Sequence, residues 1–292
     1  MKSLVQCVSL AAGLSQAVAN PMTERADKVA KNFVVFGDSY SAVGFWPAGE
    51  LPSATNPIGN PGLPGQTTSA GLNWVGYATT TLNTSLVLTY DFASSGATTD
   101  KGIIDSWAQY SFEEQVALYK QYIAPKISKA DTLVAIWVGI NDVGEPFWRK
   151  TEAPIAQILD RYFELVQDLI DYGLTKFVLL DVPNFSDQFP AMKDQPEADL
   201  DRLRTYIAAY NKDIKSRAAT FASSHPSIKL QVFNTNPSFE KVIKDYGAYG
   251  ARDATCYGSS NCLWADSYHA SGPIHKVVAQ NFVKAVQNIF TF

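Results

Sequence analysis

The sequence has few cysteines and histidines and no cluster of positive charge. Its 292 residues include 3 Cys and 3 His, and 24 Lys and Arg stand against 28 Asp and Glu, giving a formal net charge of −4. A mildly acidic chain without a basic patch is a poor candidate for binding nucleic acid or an anionic lipid surface. No cluster of His and carboxylates has metal-ligand spacing, and no glycine-rich turn carries a phosphate-binding lysine. We therefore expect neither a metal nor another cofactor.

Long apolar runs are also absent after the N-terminus. The run at 4–14 is too short to span a bilayer. It follows Lys2 and precedes Ala-Val-Ala at 17–19, small residues suited to signal cleavage. This order predicts a signal peptide at 1–19 and a single soluble, secreted domain at 20–292 without stable membrane association. A buried first strand is the alternative interpretation of the N-terminal run.

Two cysteines remain once the predicted signal peptide is removed. Cys256 and Cys262 lie six positions apart, and in an oxidising compartment the expected outcome is a disulfide that pins the loop before Asp266. A zinc site is the rival interpretation, but the pair lacks Cys-x-x-Cys spacing. Two N-glycosylation sequons fit the same compartment, at Asn83 and Asn184.

Short apolar runs alternate with stripes of apolar residues at helical spacing. Continuous apolar runs of this length indicate strands buried on both faces, hence a parallel sheet. Strand, helix, strand in repetition predicts the α/β class, as a three-layer α/β/α sandwich with a central, mostly parallel five-stranded sheet. The runs lie at 32–36, 86–92, 132–138, 177–180 and 228–233, and the stripes at 112–123, 155–170, 203–221 and 274–289.

One long segment is irregular. Residues 46–72 hold five prolines and five glycines, and a loop of this length in a compact domain is usually functional or disordered. Because it follows the carboxyl end of the first strand, we interpret it as a wall of a substrate site. Trp46, Trp107 and Trp148 lie in or after loops on the same side. Their rings either carry a sugar or pack against the protein, and packing is the commoner use.

Polar residues gather where the predicted strands end. In an open parallel sheet, ligands bind beyond the carboxyl ends of the strands, so loops far apart in sequence meet there. Between them, four such loops carry a hydroxyl, a glycine amide, a carboxamide, a carboxylate and an imidazole. These groups belong to Ser39, Gly96, Asn141, Asp266 and His269.

This set of groups suits acyl transfer. A serine hydroxyl is a weak nucleophile until a base removes its proton, and histidine is suited to that task near neutral pH. Asp266, three positions before His269, would hold the imidazole in the correct tautomer. The oxyanion of the intermediate needs preset donors, for which the candidates are the backbone N–H groups of Ser39 and Gly96 and the Asn141 amide.

Each element by itself is common. A Gly-Asp-Ser tripeptide and an Asp-x-x-His pair occur often by chance, Gly96 could be only a turn glycine, and Asn141 could belong to a strand-ending turn. The alternative for the whole set is an α/β domain with ordinary polar residues at its loop ends. All four blocks occur here in one order, each beyond a strand, which favours an ester hydrolase. The other histidines, His225 and His275, are expected to be structural.

From about Phe33 to the C-terminal helix, the chain resembles the SGNH hydrolases, also called GDSL esterases and lipases. The resemblance implies a flavodoxin-like form of the sandwich. It also implies that Ser39 is the nucleophile, that Gly96 and Asn141 are oxyanion donors, and that Asp266 and His269 complete a triad. Tyr40 departs from the Leu of many members, without consequence for catalysis.

A narrower resemblance concerns the secreted fungal acetylesterases of carbohydrate esterase family sixteen. It implies an enzyme that releases acetate from hemicellulose-derived oligosaccharides. We expect the protein to be a monomer. A lipase or phospholipase acting on longer acyl esters is the second hypothesis, and a non-catalytic sugar-binding protein is the third. The matching segments are 36–41, 44–45, 56–57, 59–61, 73–75, 92–93, 96–98 and 137–144.

Overall fold

A computed structural model describes residues 30–292, which form one parallel five-stranded sheet in the order β2-β1-β3-β4-β5. The predicted α/β class with a central parallel sheet is confirmed, and each strand lies within two residues of its predicted position. The predicted signal peptide lies outside the described residues. The strands are β1 (Lys31–Gly37), β2 (Val87–Asp91), β3 (Thr132–Trp137), β4 (Lys176–Leu180) and β5 (Lys229–Phe233).

Helices cover the sheet in two groups. In the described part of the chain, α1 and α7 each contact α8. In a second group, α3 and α4 each contact α6, and α2 contacts α4. This grouping matches one helical layer on each face of the sheet. The helices are α1 (Trp74–Thr80), α2 (Phe112–Tyr122), α3 (Ile140–Arg149), α4 (Ile155–Asp171), α5 (Phe185–Gln188), α6 (Glu197–Ser224), α7 (Asn236–Lys244) and α8 (Gly272–Ala285).

Burial differs between the middle and the edges of the sheet. β3 is buried along its whole length, and β1 from Asn32 onward, as their apolar runs predict. The prediction that every run is buried on both faces is wrong for β5, which is exposed at Lys229 and only half-buried at the next three residues. β5 is the last strand of the sheet, so one of its sides has no neighbouring strand to exclude water.

The segment 46–72 has two structural roles, while its use as a wall of a substrate site stays a prediction. Its carbonyl at Pro57 accepts a hydrogen bond from the Thr89 N–H of β2 at 2.8 Å, and Ile58 is fully buried. The segment thus covers part of an edge strand that would otherwise offer unpaired backbone groups. Nearer its end, Thr68 Oγ1 donates to the Ser39 carbonyl at 2.8 Å, which ties the segment to the turn after β1.

Candidate active site

The turn after β1 presents Ser39. The backbone N–H groups of Ser41 and Ala42 both donate to the Asp38 carbonyl at 3.0 Å, and the Tyr40 N–H donates to Asp38 Oδ1 at 2.9 Å. Asp38 therefore closes the turn through its side chain as well as its backbone. Asn73 caps α1 and donates its side-chain amide to the Ser41 carbonyl, which anchors the turn to a helix.

Three of the candidate side chains form a chain of hydrogen bonds. His269 Nε2 lies 2.8 Å from Ser39 Oγ, and His269 Nδ1 lies 2.8 Å from Asp266 Oδ2. The other carboxylate oxygen, Asp266 Oδ1, accepts the backbone N–H groups of Tyr268 at 2.7 Å and His269 at 2.8 Å. In this arrangement Nδ1 donates to the carboxylate, which leaves Nε2 free to accept the serine proton.

Electrostatics keep Asp266 ionised. Partial burial acts to raise the pKa of this carboxyl, but the N–H groups of Tyr268 and His269 favour its charged form more strongly, so the pKa is below its ordinary value. A carboxylate that stays charged can stabilise the imidazolium that forms when His269 takes a proton.

The loop after β2 and the start of α3 hold the candidate oxyanion donors. Gly96 has φ +79°, and a Cβ at this position would lie 2.8 Å from Cε2 of Trp107, so both the backbone and the close ring require glycine. Asn141 Nδ2 donates one hydrogen to the Ala97 carbonyl at 2.9 Å. Its second N–H remains available. Within residues 30–292, the backbone N–H groups of Ser39 and Gly96 have no partner.

Hydrogen bonds brace these loops against one another. The Ser94 N–H donates to the Gly37 carbonyl at 3.0 Å, joining the loop after β2 to the end of β1. The Thr99 N–H donates to both carboxyl oxygens of Asp142, at 2.9 and 3.2 Å. Asp142 thereby links the Gly96 loop to α3. Reasoning from sequence missed this clamp, although an aspartate directly after the candidate Asn141 was a visible signal.

Tyr40 also has a function that sequence reasoning did not assign. Its hydroxyl donates to the Tyr268 carbonyl at 2.6 Å, and its ring is fully buried. The residue beside the serine is thus bonded to the residue beside the histidine. A leucine at this position could not form that bond.

Two carboxyls next to the candidate groups are fully buried. Burial raises the pKa of Asp38 to about 7, against the bond from the Tyr40 N–H, and the charge of Asp142 adds to the rise. Burial likewise raises the pKa of Asp142 to about 7, despite the bonds from Thr99. Asp38 Oδ2 has no hydrogen-bond partner in the described part of the chain.

A disulfide joins Cys256 to Cys262 and supports the loop that holds the histidine. Ser271 Oγ donates to the Cys262 carbonyl at 2.9 Å, and the Ala265 N–H donates to the His269 carbonyl at 2.8 Å. Both sulfurs are in the disulfide, so neither is a free thiolate ligand for zinc.

The remaining histidines lie outside the hydrogen-bonded chain. His275 is buried, and its Nδ1 accepts the backbone N–H of Trp74 at 3.2 Å. Burial lowers the pKa of His275 to about 3, and the nearby positive charge of His269 lowers it further. His225 ends α6 and stacks on Phe221 at 4.3 Å between ring centres. In residues 30–292 there is no group of three or more His, Cys, Asp or Glu that could hold a metal ion.

Two other features from the sequence have clear positions. The side-chain amides of both sequon asparagines donate to nearby oxygens, Asn83 to the Ser85 carbonyl and Asn184 to Asp187, each at 2.8 Å. Glycosylation at either asparagine stays a prediction.

No helix among the described residues is long and apolar enough to cross a membrane.

The three tryptophans of the candidate crevice differ in surroundings. Trp46 and Trp107 are exposed and line one cavity of about 400 Å³ beside the Gly96 loop. Trp148 is also exposed on one side but packs edge-on against Phe147, with ring centres 4.8 Å apart.

Known proteins are similar to this chain in sequence. An acetylesterase of Thermothelomyces thermophilus is 37% identical over 286 residues, covering 94% of each chain. An acetylesterase of Hypocrea jecorina is 28% identical over 135 residues, which are 39% of this chain and 35% of that protein. The family model for the GDSL-like lipases and acylhydrolases matches residues 33–282.

Two solved structures share the fold at low identity. A GDSL-like lipase from Parabacteroides merdae has a TM-score of 0.51 at 11% identity, covering 87% of this chain and 94% of that one. A variant acetyl xylan esterase from Geobacillus stearothermophilus has a TM-score of 0.50 at 15% identity, covering 90% and 96%. The family model matches most of the chain, and the acetylesterase of T. thermophilus is similar along nearly the whole length of both proteins. The chain therefore belongs to the GDSL-like lipase and acylhydrolase family and is a carboxylic-ester hydrolase.

Proposed function

We propose that the protein is a secreted acetylesterase that releases acetate from hemicellulose-derived oligosaccharides, with Ser39 as nucleophile, His269 as base and Asp266 as the group that orients the base. The observation that carries this proposal is the pair of 2.8 Å contacts that link the three side chains. Similarity to the acetylesterase of T. thermophilus supports the choice of acetate as the acyl group.

In the first half-reaction, Ser39 Oγ forms a bond to the ester carbonyl carbon while its proton moves to His269 Nε2. The carbonyl oxygen becomes an oxyanion, which the free N–H groups of Ser39, Gly96 and Asn141 stabilise, each contributing roughly 3 kcal/mol. When the intermediate collapses, the bond from carbon to the sugar oxygen breaks. His269 gives the proton to that oxygen, and the deacetylated sugar departs. Ser39 then carries the acetyl group as an ester.

In the second half-reaction, water takes the place of the sugar hydroxyl. His269 removes a proton from water while the water oxygen attacks the acetyl carbon. The bond from this carbon to Ser39 Oγ then breaks, and the proton on His269 returns to the serine. Acetic acid is released and ionises in solution, and the enzyme returns to its starting state.

Export is part of the proposal. The ordered pattern at residues 1–19 is that of a signal peptide, and a disulfide between Cys256 and Cys262 is typical of proteins that fold in an oxidising compartment.

The decisive variant is Ser39→Ala. We expect kcat with 4-nitrophenyl acetate to fall by about 10⁴-fold or more, because the variant lacks the hydroxyl that forms the acyl-enzyme. Circular dichroism and thermal unfolding should match the wild type. A variant that keeps about a tenth of the wild-type kcat would exclude Ser39 as nucleophile, since true nucleophile variants lose far more.

Ser267→Ala is the matched control. Ser267 lies in the same loop as Asp266 and His269, and its side chain has no hydrogen-bond partner among residues 30–292. The activity of the Ser267→Ala variant should equal that of the wild type. Acyl preference is measured on the same protein with a series of 4-nitrophenyl esters and by acetate release from acetylated xylotriose. A maximum at octanoate or a longer ester would contradict the acetylesterase and favour a lipase.

A further inference from the structure

A cavity of about 400 Å³ opens beside the Gly96 loop. This volume falls within the range of about 300–1,000 Å³ typical of small-ligand sites. One wall comes from the segment 46–72, through Trp46 and Pro47, and the other from the chain after β2, through Ser95 and Trp107. Gly96 does not itself line the cavity, but Ser95 directly precedes it and the Trp107 ring lies against it. The cavity therefore adjoins the loop that carries the proposed oxyanion donor.

Both tryptophans of the cavity offer their rings to solvent. Trp107 is 74% exposed and Trp46 is 42% exposed. In the part of the chain that the structure describes, neither indole N–H has a hydrogen-bond partner, whereas those of the buried Trp74, Trp137 and Trp264 each donate to an oxygen. Trp46 packs against Tyr122, with ring centres 6.1 Å apart, and Trp107 lies against Gly96. Two exposed rings that line one cavity, with indole N–H groups that bond no protein oxygen, are typical of a ligand site rather than of core packing.

The other side chains of the cavity are neutral. Amides and hydroxyls from Gln66, Ser95 and Gln109 stand among aromatic carbons, and none of the residues that line the cavity carries a charge. A phosphate-bearing headgroup would find no cation here to pair with. A long acyl chain would leave these polar groups without partners, at a cost in free energy.

We propose that this cavity, which we call the tryptophan cavity, binds a neutral pyranose unit of the acetylated saccharide. Trp107 stacks on the C–H face of the sugar, Trp46 forms the opposite wall, and the amides and hydroxyls bond the sugar hydroxyls. The inference rests on the proposed function, because it supplies the saccharide part of the substrate for the ester cleaved at Ser39. It adds a specificity site that the hydrogen-bonded chain of Asp266, His269 and Ser39 does not contain.

The test compares a substrate that has a sugar with one that has none. Values of kcat and KM are measured with acetylated xylotriose and with 4-nitrophenyl acetate for the wild type, Trp107→Ala, Trp46→Ala and Trp107→Phe. Loss of one stacking ring should raise KM for acetylated xylotriose about fivefold to tenfold in either alanine variant. The ratio of the two kcat/KM values should fall by a similar factor, and Trp107→Phe should recover part of it.

Tyr172→Ala is the matched control. This exposed aromatic residue follows α4, just before β4 begins, and so lies at the opposite end of the sheet from Ser39. Neither its activity nor the ratio should change.

A second measurement is independent of hydrolysis. Unacetylated xylotriose is titrated into Ser39→Ala and into the same variant carrying Trp107→Ala, and binding is followed by calorimetry. Binding to the first protein and at least about fivefold weaker binding to the second support the proposal. Wild type could instead cleave 4-nitrophenyl acetate but not acetylated xylotriose, while xylotriose still binds through Trp107. That result would support the saccharide site and contradict the proposal that acetylated xylo-oligosaccharides are substrates.

Two results would overturn the inference and leave the acetylesterase in place. In one, wild type releases acetate from acetylated xylotriose, but the tryptophan variants lower kcat/KM equally for both substrates. Trp107 would then only support Gly96. In the other, the variants selectively lower activity on 4-nitrophenyl octanoate, which would make the cavity an acyl site.

Discussion

Two aspartates belong to the loops of the proposed nucleophile and base, and their surroundings are opposite in character. Asp38 directly precedes Ser39 in the chain, and Asp266 contacts His269. Asp266 has a side chain that is 55% exposed, and it accepts three N–H groups, two from the backbone and one from His269. Asp38 is 1% exposed and accepts one N–H, from Tyr40. The pKa is below the ordinary value for Asp266 and raised to about 7 for Asp38.

The contrast shows that proximity to the serine does not make a carboxyl catalytic. Asp266 is ionised because several donors favour its charge, so it can orient and stabilise His269. Asp38 is deprived of water and close to the equally buried Asp142, so its charge is disfavoured, and its contact with Tyr40 is structural. Donor number and burial separate the two roles, although the residue type is the same.

The strongest test of this contrast is Asp266→Asn. The carboxamide would present its NH₂ group to His269 Nδ1, which must then accept a hydrogen bond, and the proton would shift to Nε2, where it blocks the base. We expect kcat with 4-nitrophenyl acetate to fall by about 10³- to 10⁴-fold. Thermal unfolding should change little, because the substitution is isosteric and the site is largely exposed.

Asp38→Asn is the matched comparison for that experiment. The Oδ1 atom of the new asparagine can still accept the Tyr40 N–H, so the turn should keep its shape. The variant should therefore keep most of the wild-type activity. Equal losses of kcat in the two variants would contradict the division of roles between the two aspartates.

A second prediction concerns how stability depends on pH. Asp38 has a pKa near 3.8 when unfolded and about 7 when folded. Between these values the folded state binds more protons, so the free energy of unfolding falls as pH rises from about 4 through about 7. Asp38→Asn carries no such proton, and its stability relative to wild type should rise by at least about 1 kcal/mol between pH 4 and pH 8.

Chemical denaturation at several pH values measures this difference. Asp142 changes stability in the same direction as Asp38, since burial raises its pKa to about 7 as well. His275 acts oppositely, because its pKa of about 3 makes stability rise with pH between about 3 and 6.5. Both effects remain in the variant. Parallel pH curves for the variant and wild type would show that Asp38 is ionised in the fold.

The next prediction concerns the disulfide that supports the loop of Asp266 and His269. Replacing both Cys256 and Cys262 by serine should lower the free energy of unfolding by about 2 kcal/mol, because the loop that the disulfide closes is short. The value of kcat should fall only a fewfold, since hydrogen bonds still hold the loop. Denaturant titration and 4-nitrophenyl acetate kinetics measure the two quantities. A loss of kcat as large as in Asp266→Asn would mean that the disulfide, rather than the carboxylate, positions His269.

The fold was largely readable from the apolar runs. A short apolar run without polar alternation is typical of a strand that is buried on both faces. β3, which is buried along its whole length, begins at its predicted residue. The helices α1, α3, α5 and α7 were not predicted, because each spans three turns or fewer, which is too short to show a clear helical period. The exposure of β5 was mispredicted, because a run of apolar residues does not reveal which strand lies at the edge.

By itself, the sequence determined the chemistry that is available: one serine, one histidine, one carboxylate and several donors, each beyond a strand of a parallel sheet. Only the tertiary structure decided how those groups are coupled. The clamp from Asp142 to the Gly96 loop and the bond from Tyr40 to Tyr268 join residues far apart in the chain. No local pattern encodes such contacts, because they depend on how loops meet at one edge of the sheet, and burial there assigns different charge states to Asp38 and Asp266.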